Sequence, residues 1–279
     1  MKADNRRREV HSYAPCIVPP PASFPVSFDS TLLIVIAGAA VAGFVQGLSG
    51  FAFGMVAMSF WAWAIEPQLA AAMTVFGALT GQLLAAASVR RGLSWRRLWP
   101  FVAGGVAGIP LGVAVLPLLD AQWFKAVLGA FLTLWCPVML MVRRLPHIGV
   151  GGRVADGVAG AAGGVMGGIG GFTGVIPTLW CTLRGFDKDE QRAVIQNFNL
   201  ATLAMTMAAY VGKGIVTREM LPMFLVVAPA MLVPTLLGTR LYLGISEAAF
   251  RKIVLTLLTV SGVALLATSV PVLVARGAG

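Results

Sequence analysis

"GGVMGGIGGFTG", residues 163–174, holds seven glycines in twelve positions. It lies in a longer run, residues 157–183, without a single Asp, Glu, Lys or Arg. Each glycine inside a helix costs about 1 kcal/mol relative to alanine, so an apolar helix this rich in glycine is broken near its middle. The run is one of several: residues 30–65, 67–89, 98–119, 126–142, 157–183, 193–212, 220–239 and 253–275 carry no charge. Most are close to the 20 residues or so that a membrane-crossing helix needs. Of the 279 residues 58% are hydrophobic and 11% charged, whereas a soluble domain carries about 25% charged residues. The chain therefore reads as an all-α polytopic membrane protein, placed in the cell (inner) membrane.

The net charge of +10 is concentrated in short loops. Arg90, Arg91, Arg96 and Arg97 cluster in one, and Arg143, Arg144 and Arg153 in another. That is the positive-inside pattern of membrane proteins, and it argues against nucleic acid as a partner. The lipid bilayer is the partner it implies, and a homo-oligomer is left open. Three scattered cysteines, Cys16, Cys136 and Cys181, form neither a disulfide framework nor a metal site, and no cofactor is expected. Residues 1–29 have no apolar core and read as a disordered tail, not a secretory signal.

An internal repeat follows. Set against "GFVQGLSGFAFG" (43–54), the opening stretch keeps four glycines in register: Gly43/Gly163, Gly47/Gly167, Gly50/Gly170 and Gly54/Gly174. Arg91-Gly92, Arg96, Pro100 and Phe124-Lys125 then match Lys213-Gly214, Arg218, Pro222 and Phe250-Arg251 at slowly growing offsets. The two repeats, of about 120 residues each, cover residues 30–148 and 149–279. Helical pieces are expected at 31–49, 51–65, 69–89, 97–118 and 123–142, then at 154–169, 171–184, 192–212, 219–243 and 249–274. The first two of each set form a glycine-broken re-entrant pair, followed by three spanning helices. Residues 154–184 are too few for two full crossings at about 1.5 Å per residue. Each repeat then crosses an odd number of times, so the two lie inverted. Charge bias puts the loops at Arg90–Arg97, Arg143–Arg153, Arg184–Arg192 and Arg240–Lys252 in the cytoplasm and both termini outside.

Inverted repeats with interrupted helices are the architecture of secondary transporters, whose substrates bind at the midplane where half-helix N-termini point inward. Such an end carries unsatisfied N–H groups and about half a positive charge, which suits an anion. Gly157, Gly160, Gly163 and Gly167 are read as close-packing glycines; Gly170, Gly171 and Gly174, followed by Pro177, are read as the break. The candidate substrate residues are Gly170, Gly171, Phe172 and Thr173 in the second break and Gln46, Ser49, Gly50 and Phe51 in the first. Gln196, Asn197 and Asn199 of "QNFN", with Thr74 at the matching place in the first repeat, complete the set. Amides and hydroxyls can donate to an anion without a charge being buried. The same polar side chains could equally serve as hydrogen bonds between helices.

With "GIGGFTGVIPT" (168–178), and the helices "AAMTVFG" (71–77) and "AVIQNFN" (193–199) after the breaks, residues 31–275 resemble the TauE/SafE sulfite-exporter family of membrane permeases. The resemblance implies transport of sulfite, organosulfonates or related small sulfur anions, and no catalysis. The first copy departs from the family pattern: Phe51 and Phe53 stand where glycines are usual, and no proline follows. An organic sulfonate could set its carbon portion against Phe51 or Phe172. The carboxylates all fall at helix ends or in loops, so export of an anion down the membrane potential is the simplest driving force. About 2.3 kcal/mol is released per charge per 100 mV. Asp156, near the second break, is the one candidate for proton coupling. An integral membrane enzyme of lipid-pyrophosphate type would instead call for clustered carboxylates or a Ser/His/Arg set, and none is read here.

Overall fold

Short polar signals divide the apolar chain. Asp120 opens one helix by accepting from the Gln122 and Trp123 amides at 2.9 and 2.7 Å. Asp187 opens another by accepting from the Glu190 amide at 2.8 Å. Both are N-caps, which satisfy amides that the first helical turn leaves free. Pro67, whose missing N–H costs nothing at a first helical position, starts a third.

The computed structural model describes residues 30–50, 52–88, 95–141, 151–241 and 247–277. Its elements are α1 (Ser30–Ser49), α2 (Phe53–Ala64), α3 (Pro67–Ser88), α4 (Trp95–Val115), α5 (Ala121–Met141), α6 (Gly152–Gly170), α7 (Val175–Leu183), α8 (Lys188–Gly212), α9 (Leu221–Leu241) and α10 (Glu247–Gly277). Short 3-10 turns follow α4 and precede α9, and no strand occurs among the described residues. Among the described residues, six segments are long and apolar enough to cross a membrane: Ser30–Ser49, Pro67–Ala86, Trp95–Leu118, Ala121–Met141, Arg218–Arg240 and Lys252–Arg276. Leu111, Leu134 and Leu225 are 59, 71 and 74% exposed. Large apolar side chains facing outward this freely fit a lipid surround.

Helix boundaries differ from the sequence expectation by up to four residues, as at α8, which begins at Lys188 where 192 was expected, and two of the shifts fall at the breaks. The short arms begin at Phe53 and Val175, where starts at 51 and 171 were expected. The turns take up the difference, because a left-handed glycine stops each preceding helix: Gly50 at φ 83° and Gly171 at φ 76°. These two lie 121 apart. The Gly50/Gly170 match is therefore off by one; Gly170 is the last helical residue of α6.

Helices pack across the two halves. Gly104, Gly108 and Gly112 of α4 press on the Gly157, Ala161 and Val165 carbonyls of α6, while Gly160, Gly164 and Gly168 press back on those of Phe101, Gly105 and Ile109. Gly43 and Gly47 of α1 meet the Met231 and Thr235 carbonyls of α9 in the same manner. α5 lies along α10, and α3 along α8. Exchanging α1 with α6, α3 with α8, α4 with α9 and α5 with α10 returns the same pairings. The expected packing glycines divide: Gly157 and Gly160 face α4, whereas Gly163 and Gly167 face the turn and short arm that follow α6.

Candidate functional site

α2 and α7 are 12 and 9 residues long, or about 18 and 14 Å at 1.5 Å per residue. Both fall short of the hydrocarbon core of about 30 Å. Each folds back on the long helix before it. Trp61 Nε1 of α2 donates to the Val35 carbonyl of α1 at 3.1 Å, and Trp180 Nε1 of α7 donates to Asp156 Oδ1 of α6 at 2.7 Å. Each break is thus the apex of a helical hairpin.

The two apexes touch. A β-carbon on Gly54 would lie 3.1 Å from the Gly171 carbonyl oxygen and 3.4 Å from both the Phe172 ring and Thr74 Cγ2. One on Gly171 would lie 3.1 Å from the same Thr74 methyl. Thr74, on α3, is fully buried between the breaks, and its hydroxyl has no hydrogen-bond partner among the described residues. A buried polar group without a partner is uncommon and costs about 1–3 kcal/mol. At the second apex Thr173 Oγ1 donates to Asn199 Oδ1 at 2.9 Å, with both residues 2% exposed. Gly174, the N-cap of α7, lies against the same Asn199 amide. Phe172 packs on Phe131 of α5 with centroids 5.7 Å apart.

Thr74, Gly171, Phe172, Thr173 and Asn199, expected from the sequence, therefore gather at one point, with Gly170 beside the Phe172 ring. Others are engaged elsewhere. Gln46 Oε1 accepts from the Phe53 amide at 3.2 Å, and its Nε2 donates to the Ala78 carbonyl at 3.2 Å. Ser49 Oγ accepts from the Ala52 amide at 3.3 Å. Both brace the first apex. Gly50 turns the chain there, and its carbonyl accepts from Gln82 Nε2 at 2.6 Å. Asn197 donates back to Ala193 in its own helix at 2.8 Å. Gln196 is half-buried, and no described contact ties it to the breaks. Phe51 lies outside the described residues. Sequence reasoning passed over Gly54, the contact glycine of the first break, and Gln82. Gln82 carried a signal, as a long polar side chain inside the uncharged run 67–89.

A groove of about 490 Å³ lies apart from this point, between α6 and α7; Val154, Val158, Ile176, Leu179 and Trp180 are among its walls. It is apolar and offers an anion nothing.

The sulfite exporter TauE/SafE family model matches residues 35–265, nearly the whole described chain and both breaks. The chain belongs to that family. It is accordingly a multi-pass membrane protein of a family of transporters for sulfite-type anions. Comparison with curated proteins and with solved structures returned no match. Within TauE/SafE terms, the glycine-broken stretches that carried the resemblance are the two hairpin apexes.

Proposed function

We propose that this chain is a secondary transporter that exports sulfite, an organosulfonate or a related small sulfur anion across the cell (inner) membrane. The anion binds between the two apexes, and the two hairpins enter the bilayer from opposite faces. The observation that carries this reading is the unpartnered hydroxyl of Thr74, buried where Gly54 meets Gly171. Two interrupted helices offer their N-terminal amides nearby, the arrangement by which transporters hold anionic groups.

The polar contacts at the helix ends support the inverted arrangement. Arg97 pairs with Glu190 at 2.7 Å and Arg184 with Asp156 at 3.8 Å, which joins the expected cytoplasmic loops. Arg276 pairs with Asp120 at 3.0 Å, and Lys125 Nζ stands 5.6 Å over the Trp63 ring, which joins the expected outer ends. Alternating access follows if the apexes part toward one face and then the other. Asp156 is tied to Trp180 and Arg184, so an uncoupled anion path down the membrane potential remains the simplest driving force.

The test is electrogenic current from purified protein in proteoliposomes after a jump of sulfite or of a small sulfonate, with chloride and acetate as controls. A sulfur-anion current that Thr74→Ala and Asn199→Leu reduce about tenfold or more, the loss of one hydrogen bond to a charged group, supports the site. Asn197→Leu leaves it nearly unchanged. A folded protein that passes none of these anions ends the proposal.

A further inference from the structure

We infer that the site between the apexes accepts a single negative charge and rejects two, so that sulfite is carried as hydrogensulfite and sulfonates are preferred to sulfate. The inference rests on the anion-site reading above and specifies its ligand.

What can neutralise an anion there is limited. The site is built from α1, α2, α3, α6, α7 and α8. Residues 30–65, 67–89, 157–183 and 193–212 contain no Lys, Arg, Asp or Glu. Glu190 and the exposed Arg192, on the first two turns of α8, are the nearest charges along those helices, nine and seven residues before Asn199. Glu190 is paired with Arg97, and Asp156, on the second turn of α6, already meets Trp180 and Arg184. Lys125, on the adjoining α5, is held over Trp63 at the far end of α2. Tyr210 of α8 gives its hydroxyl proton to the Gly168 carbonyl at 2.7 Å. Thr173 likewise gives its hydroxyl proton to Asn199 Oδ1 at 2.9 Å, so the remaining attraction comes from the neutral donors Thr74 and the Asn199 amide, and from two helix N-termini.

Neither N-terminus is closed by its own cap. Ala52 and Gly174 stand at the N-caps of α2 and α7 without a side-chain bond. Gln46 takes only the first α2 amide, that of Phe53, which leaves Gly54 and Met55 uncapped. Each helix end supplies about half an elementary charge, so the pair together balances about one. Attraction to fixed dipoles grows in proportion to the ligand's charge. The cost of removing that ligand from water grows roughly as the square of the charge. A cradle without a cation therefore gains on the first charge and loses on the second. The orphaned Thr74 hydroxyl provides one donor for such an anion, and the Phe172 ring closes one wall apolar.

The test compares three probes on the whole protein in proteoliposomes: methanesulfonate, a fixed monoanion; sulfate, a fixed dianion; and sulfite, whose charge changes near neutral pH. Flux and competitive binding are followed across the pH range. The expected result is methanesulfonate binding independent of pH, sulfate that fails to compete, and apparent sulfite affinity that falls about tenfold per pH unit once the dianion dominates. Thr74→Ala weakens methanesulfonate and sulfite alike and leaves that slope in place. Sulfite affinity that rises with pH, or sulfate that competes as well as methanesulfonate, overturns the charge rule but keeps an anion site. If none of the three binds to folded protein, the underlying site reading falls as well.

Discussion

The hairpins α1–α2 and α6–α7 share one plan and tie it in opposite places. At the open end of the first, Trp61 bonds to a backbone carbonyl, that of Val35. At the open end of the second, Trp180 bonds to the buried Asp156 carboxylate, which Arg184 also approaches. At the apexes the roles reverse. The first needs side chains: Gln46, Ser49 and Gln82 satisfy the amides of Phe53 and Ala52 and the carbonyl of Gly50. The second closes on itself, with the Gly171 amide on the Gly167 carbonyl at 2.8 Å and the Phe172 amide on that of Met166 at 3.4 Å. A polar side chain in one half is thus no guide to function in the other. The first hairpin is vulnerable at its tip and the second at its base.

That contrast can be broken most sharply at Asp156. Asp156→Ala leaves the Trp180 N–H and the Arg184 charge without their buried acceptor, and a loss of about 3 kcal/mol is expected, as for a buried pair stripped of one partner. Thermal unfolding of the purified protein measures it, and Asp156→Asn, which keeps an oxygen for Trp180, recovers part. Equal losses in the two variants would mean that the charge accounts for the whole effect and the Trp180 bond contributes nothing. The next largest effect is at the other tip. Gln46→Leu orphans the buried Phe53 amide and should cost about 2 kcal/mol. Anion affinity of the protein that remains folded should hold, because Gln46 is a brace.

Gly171→Ala and Gly50→Ala sharpen the comparison further. Both force a β-carbon into the left-handed region, at about 1–2 kcal/mol. Gly50 has nothing within 4 Å, so strain is its whole cost. At Gly171 the new carbon also meets Thr74 at 3.1 Å, and sulfur-anion current should fall only there.

The smallest effect lies outside both hairpins. The Trp123 amide above all, with the Gln122 amide and Arg276, holds the Asp120 carboxyl below the usual carboxylate range despite some desolvation. A lowered value means that its stabilisation is complete above the ordinary carboxylate pKa of about 3.9 and is lost as pH falls through the lowered one. The melting temperatures of wild type and Asp120→Asn should therefore differ slightly at neutral pH and converge in acid.

The helices were legible in the sequence because uncharged runs and their charged interruptions mark them, and the glycine breaks were legible because glycine, repeated so densely, is among the residues least suited to a helix interior. The one-residue slip at Gly170 arose where glycine repeats at spacings of both three and four. Only the backbone angle of Gly171 sets that register. Thr74 was found through the repeat, at the place matching Gln196, and Asn199 stood out as a polar residue in an apolar run. Gln46 stood out for the same reason, yet its partner Phe53 lies seven residues on, across a turn whose geometry composition does not encode. The clasps of Trp61 and Trp180 were invisible because indole nitrogens give no periodic signal.

The glycine seams between halves also bear on how the chain is made. Gly43 of α1 finds its groove against Met231 of α9, 188 residues later in the chain. At about 5–20 residues per second, α1 waits on the order of 10–40 s in the bilayer with its bare backbone stripe uncovered. α6, by contrast, meets α4 almost as soon as it is synthesised. Assembly therefore starts at the middle of the polypeptide, and its first helix waits longest for its partner, which leaves the first hairpin most dependent on whatever shields nascent membrane segments.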